Sequence, residues 1–128
     1  MLTGGCFCGH VRYEAHGEPF HPTICHCADC RRIFGAPLVG WFSLRRGDWR
    51  LTAAEPARFA SSPGVERSFC PRCGTGLSYA SARFPEEIDV SIGSLDDAEA
   101  MPPADNTMAG SRLSWSFGIH ALPWRKPR

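Results

Sequence analysis

Seven cysteines in 128 residues constrain this chain more than any other feature. They fall into three clusters: Cys6-Phe7-Cys8-Gly9, Cys25-His26-Cys27-Ala28-Asp29-Cys30 and Cys70-Pro71-Arg72-Cys73-Gly74. An odd number cannot all pair as disulfides within one chain, and spacings of two and three residues suit metal ligation. The N-terminus lacks a charged region followed by an apolar one, so no signal peptide is expected. No apolar run approaches the roughly 18 residues of a membrane span. A reducing, cytoplasmic setting is the expectation, and thiols there serve metals more often than disulfides.

The third cluster is the most specific. In a Cys-Pro-x-Cys-Gly turn, backbone N–H groups that follow the first cysteine point at its sulfur and stabilise thiolate charge. Pro71 presets φ, and Gly74 can take the positive φ that closes the turn. Such turns bring two thiolates to one zinc ion at ~2.3 Å. A Cys-x-x-Cys can also be a redox pair, but the strand running into a long helix that accompanies that use is absent. Cys6 and Cys8 form a second turn of the same kind, again with glycine after the second cysteine. Together Cys6, Cys8, Cys70 and Cys73 make a closed, four-thiolate structural site. The alternative is two buried cysteine pairs without a metal.

Cys25, Cys27 and Cys30 are then left over, and a split of four and three is the partition that uses every cysteine. Three protein ligands with an open fourth position is the catalytic pattern of zinc. His26 lies between two ligands, where an extended backbone turns its side chain to the opposite face. Asp29 reads as an N-cap or an arginine partner before it reads as a ligand. A zinc held by three thiolates is soft and a weak activator of water, so thiol chemistry is favoured over hydrolysis. The expected substrate is a small-molecule thiol that occupies the fourth position and attacks an electrophilic carbon. Arg31 and Arg32 follow the trio and offer guanidinium forks to carboxylates on that thiol. The plainer reading is a solvated pair on a short helix.

The remaining chain reads as one mainly β domain over residues 1–128. Strand-like runs cover Val11–Glu14, Pro22–Cys27, Leu38–Leu44, Trp49–Thr52, Val65–Phe69, Leu77–Ala80 and Ile88–Ile92. Turns fall at 17–19, 46–48, 62–64 and 73–76. Ala28–Phe34 reads as a single short helix that stops at Gly35 before Pro37, with Asp29 as its candidate cap. Residues 96–128 read as an irregular arm that covers the sheet, anchored by Trp115, Phe117 and Trp124. Of the 14 basic residues nearly all are arginine, yet the net charge is only +1. That balance and the absence of a basic stripe give no case for nucleic-acid or membrane partners.

The stretches GGCFCGHVRYE at 4–14, CHCADCRRIFGAP at 25–37, ERSFCPRCGTGL at 66–77 and IDVSIGSLDD at 88–97 resemble the glutathione-dependent formaldehyde-activating enzyme family. The resemblance covers about three-quarters of the chain and includes all seven cysteines. It implies a β-tent fold of small antiparallel sheets with zinc knuckles. It implies a structural zinc on Cys6, Cys8, Cys70 and Cys73 and a catalytic zinc on Cys25, Cys27 and Cys30. It also implies a carbon–sulfur lyase that condenses glutathione with formaldehyde to S-hydroxymethylglutathione. The tail departs from the family. Asn106 stands where a Pro-x-x-His-Ile element carries its histidine, and His120 where an acidic residue precedes Leu-Pro. The competing expectation is a zinc-stabilised binding module without catalysis, and a redox or metal-buffering role for the trio is a third.

Overall fold

Two sheets of short strands carry the chain, and their side-chain alternation decides what each face does. The computed structural model describes residues 1–128. The strands are β1 (Leu2–Gly5), β2 (Arg12–Ala15), β3 (Phe20–Cys25), β4 (Val39–Arg45), β5 (Trp49–Leu51), β6 (Ala57–Ser62), β7 (Val65–Phe69), β8 (Gly76–Ser81), β9 (Glu87–Ser91) and β10 (Asp105–Thr107). One α-helix, α1 (Ala28–Phe34), joins β3 to β4. The smaller sheet has the order β1-β2-β5, and the larger has the order β10-β3-β4-β9-β8-β7-β6. No helix is long and apolar enough to cross a membrane.

The mainly β architecture agrees with the sequence reading, and α1 occupies the expected residues. Three strands had no clear signal. β1 is LTGG, whose glycines carry no side chain to pattern. β6 forms one edge of the large sheet and is mostly exposed. β10 is the polar tripeptide DNT, and it pairs in parallel with β3, whereas the other strand pairs are antiparallel. The arm therefore contains one strand of the sheet. Trp115, Phe117 and Trp124, expected to anchor it, are instead 58%, 63% and 93% exposed. β10 and its hydrogen bonds, not these aromatic side chains, tie the arm down.

The core lies between the two sheets. Phe42 and Leu44 of β4 and Val90 of β9 are fully buried, and they share one apolar cluster with Val11, Tyr13 and Ala15 from the smaller sheet's side. Burying each of Phe42, Leu44, Val90 and Val11 contributes about 1.5–3 kcal/mol. Period-two alternation sends their neighbours Trp41 and Ser43 to the other face of the large sheet. That second face carries the trio, as described below. Tyr13 reaches across the core, its hydroxyl 2.7 Å from Ser94 Oγ.

A fork closes the rim of this sandwich. Arg12 donates from both terminal nitrogens to Asp96, at 2.8 and 2.5 Å, and Thr3 Oγ1 donates at 2.7 Å. These donors, Arg12 foremost, hold the Asp96 carboxyl well below the usual carboxylate range. A depressed carboxyl contributes stability that is fully present above the unfolded value near 3.9 and is lost as pH falls through the folded value. Both partners are partly exposed, 35% and 47% at the side chains, so the contribution is below ~1 kcal/mol. Asp96→Asn is expected to lower the melting temperature slightly at pH 7 and to flatten its decline between pH 5 and pH 2, as measured by circular dichroism.

Candidate functional site

Two groups of sulfurs converge, and each group lies within 4.8 Å: Cys6, Cys8, Cys70 and Cys73 in one, Cys25, Cys27 and Cys30 in the other. In the first group two turns meet. The N–H groups of Arg72 and Cys73 point at Cys70 Sγ, at 3.3 and 3.4 Å. The N–H of Val11 donates to Cys6 Sγ at 3.2 Å. Gly74 closes its turn at φ +83°, a conformation that a side chain would strain. The turns are cross-tied, since the Phe7 N–H donates to Thr75 Oγ1 at 3.0 Å. The Thr75 hydroxyl also lies 3.3 Å from Cys73 Sγ, and hydrogen bonding from Thr75 brings the Cys73 thiol down to about 5. Four convergent sulfurs with N–H and O–H donors aimed at three of them fit a tetrahedral zinc.

The second group is built where β3 passes into α1. Cys25 ends β3, and Cys27 caps α1, its sulfur accepting the Cys30 N–H at 3.3 Å. Cys27 rather than Asp29 is the N-cap. Asp29 lies one residue inside the helix, where it faces solvent. Gly35, left-handed at φ 60°, ends the helix as its sequence suggests. Cys25 and Cys30 are buried against Val39 and Trp41. The Cys25 thiol hydrogen-bonds to Cys30 and brings the latter down to about 5, with Arg67 adding a further hydrogen bond and positive charge. Cys25 is pushed up in turn, because Cys30 takes the anionic role. Arg67 is 4% exposed; its NH1 lies 3.5 Å from Cys30 Sγ, its Nε donates to Ser61 Oγ at 3.2 Å, and its guanidinium rests 4.9 Å from the Tyr79 ring centre. A guanidinium without a carboxylate partner, held against a sulfur, matches the negative charge that a three-thiolate metal centre carries.

The trio opens on a cavity of about 620 Å³. Its walls include Trp41, Tyr79 and Phe84 as well as Arg67, Asp89 and Thr107. Cross-strand registers line up Ser43 of β4, Asp89 of β9, Tyr79 of β8 and Arg67 of β7 as one row across the sheet. Sequence reasoning missed this row. The alternation Ile88-Asp89-Val90-Ser91 held a signal, since an acidic residue on a strand between buried apolar ones needs a reason.

Other residues singled out from the sequence lie elsewhere. His26 is buried but outside the trio, with Nε2 2.8 Å from Asn106 Oδ1 and Nδ1 without a partner. Arg31 donates to the carbonyls of His26 and Ser111, at 2.5 and 2.8 Å. Arg32 is exposed on α1, and neither arginine lines the cavity. Asn106 holds His26, whereas His120 is exposed in the tail and reaches no part of the site.

The sequence model of the family described as glutathione-dependent formaldehyde-activating enzyme matches residues 1–110. A Halomonas elongata protein whose name gives it to the same family is 31% identical over 117 residues, covering 80% of this chain and 71% of the relative. An uncharacterised lyase of Schizosaccharomyces pombe is 32% identical over 77 residues, covering 60% of this chain and 56% of the relative. A crystal structure of a Rhodobacter sphaeroides protein superposes with a TM-score of 0.66 at 23% identity, covering 83% of this chain and 100% of the other, which shows a shared fold.

The environment of Arg67 sets a test of the trio. Arg67→Met is expected to weaken the affinity of Cys25, Cys27 and Cys30 for added zinc about 10–100-fold, the usual cost of losing a group that supports metal ligands. Zinc uptake by the four-cysteine group should be unchanged. Stepwise competition with a chromophoric chelator measures both, and Arg67→Lys should restore part of the loss.

Proposed function

The chain belongs to the glutathione-dependent formaldehyde-activating enzyme family, and from that premise we propose that it is a zinc-dependent carbon–sulfur lyase. It joins a small-molecule thiol of the glutathione type to a small aldehyde such as formaldehyde, or separates the two. The observation that carries this reading is a three-sulfur cluster opening on a sizeable, aromatic-walled cavity while the other four cysteines satisfy one another. On this reading residues 1–128 act as a single cytoplasmic domain.

Cys6, Cys8, Cys70 and Cys73 would hold a structural zinc, and Cys25, Cys27 and Cys30 a catalytic one. At the trio a bound zinc supplies a soft cation that favours the deprotonated form of a thiol. The protein's own side chains do the rest. Arg67 offsets the negative charge of the sulfurs and, after the Cys25 hydrogen bond, helps to lower the Cys30 thiol. Trp41 and Tyr79 form apolar walls of the cavity. Of the two arginines on α1, Arg31 is engaged by backbone carbonyls and Arg32 is exposed, and both lie outside the cavity lining, so either would meet only a substrate carboxylate that extends beyond the cavity. A cavity of about 620 Å³ has room for the body of a tripeptide thiol beside a one-carbon electrophile.

Zinc analysis and exchange NMR together test this. The wild-type chain is expected to carry two zinc ions, and Cys27→Ser one. Wild-type protein should accelerate exchange between free glutathione and its formaldehyde adduct above the uncatalysed rate, and Cys27→Ser should return it to that rate. Equal acceleration by the two proteins would remove the trio from the reaction.

A further inference from the structure

Asp89 is a carboxylate in an unusual place. It sits in β9, an interior strand of the seven-stranded sheet, with β4 on one side and β8 on the other. Aspartate is depleted in strands, and a carboxylate in a half-buried row costs free energy unless it is paired. No basic nitrogen lies within ion-pair distance of it. Its one hydrogen bond comes from Ser43, whose hydroxyl donates to Oδ1 at 2.6 Å. Oδ2 has no protein partner and keeps some accessible surface. It therefore opens on the cavity that Asp89 lines together with Cys25, Cys27 and Cys30. A structural carboxylate would be expected to use both oxygens. Here one oxygen is fixed by a buried serine and the other faces the site.

Adding a thiol to an aldehyde needs a group with that arrangement. The carbon–sulfur bond forms as the carbonyl π pair moves to oxygen, and the oxygen must gain a proton. The thiol gives up a proton in the same addition, so a single group that donates one and receives the other balances the reaction without an oxidant or reductant. We propose that Asp89 is a catalytic residue, its Oδ2 giving a proton to the aldehyde oxygen in the forward direction and taking it from the hydroxyl of the adduct in the reverse. Ser43 is the positioning residue that fixes the carboxyl. The proposal rests on the lyase reading above.

The local electrostatics suit the role. Burial raises the Asp89 carboxyl above its ordinary range, the Ser43 hydrogen bond opposes that, and Glu87 on the same strand adds to the rise. His21 on β3 opposes it, and Cys30 on α1 adds to it. Arg67 and Tyr79, from β7 and β8, complete the charged and titratable groups in the row. A carboxyl raised toward the operating pH exchanges protons more readily than an ordinary one.

The test uses zinc-loaded protein and adduct breakdown, followed by exchange NMR across pH. In this direction the carboxylate is the active form, so wild-type kcat/KM should rise with pH through the Asp89 value. Asp89→Asn keeps the size and the Ser43 contact but cannot take a proton. It is expected to lower kcat/KM about 100-fold or more, to lose the acid limb, and to keep zinc content and melting temperature. Ser43→Ala removes a donor that favours the carboxylate, so the limb should move to higher pH. Asp89→Asn with the wild-type rate and limb would overturn the assignment while leaving the lyase reading intact. No acceleration by the wild type would sink both.

Discussion

Closure of the chain between Cys8 and Cys70, whose sulfurs are 3.8 Å apart and whose positions differ by 62 residues, is the constraint on which the rest depends. Cys6 and Cys70 belong to the same apolar cluster as the residues between the sheets. The two turns therefore do more than offer sulfurs. They bring the small sheet's first connection against the turn between β7 and β8, so the core is closed at that end by sulfur contacts and hydrogen bonds as well as by packing. For a chain of this length, with strands of only three to seven residues, a metal bound there would count directly as folding free energy.

With the core fixed on one face of the large sheet, the other face is free for chemistry. β4 shows the division within one strand: Phe42 and Leu44 pack toward the small sheet, whereas Trp41 and Ser43 face the cavity. The same period assigns Ile88 and Val90 to the core and Asp89 to the cavity. A register slip of one residue would exchange the two sets and put a carboxylate among apolar side chains. The sequence alternation, the fold and the site thus rest on one pairing of β4 with β9.

Some of this was legible in the sequence because it is local. Cysteine spacing, the proline and the glycine describe each turn within five residues, and Ala28 to Gly35 describes a helix with its stop. The strand Val65–Phe69 has the bounds that its β-branched and aromatic residues suggest. What was not legible is non-local. Nothing in DNT marks it as a strand until β3 is beside it, and nothing in IDVSI says that Asp89 will stand between Ser43 and Tyr79. Arg67 is one arginine among many until the sheet sets it beside Cys30. Cys27 as a helix cap also escaped, because sulfur is a weak acceptor and Asp29 is the residue that propensity favours.

The edge of the large sheet shows how a weak local signal can still be decisive. Without β10, β3 would be an edge strand, and its unpaired backbone would run directly into Cys25, His26 and Cys27. β10 covers that edge with parallel pairs from Thr23 to Cys25, and the Thr107 carbonyl accepts the His26 N–H at 3.0 Å. The side chains reinforce the same seam: Thr23 with Thr107 at 2.6 Å, His26 with Asn106 at 2.8 Å, and Arg31 on the Ser111 carbonyl. Each contact lands within the trio or one or two residues from it. The polar tripeptide thus does for the trio what the cross-tie of Phe7 to Thr75 does for the four-cysteine group: it fixes the backbone from which the sulfurs project. Asn106 has a structural reason to be where it is, since its amide holds the imidazole that separates two of the three sulfurs. His120 has no comparable contact, so of the two departures in the tail Asn106 is the one joined to the site.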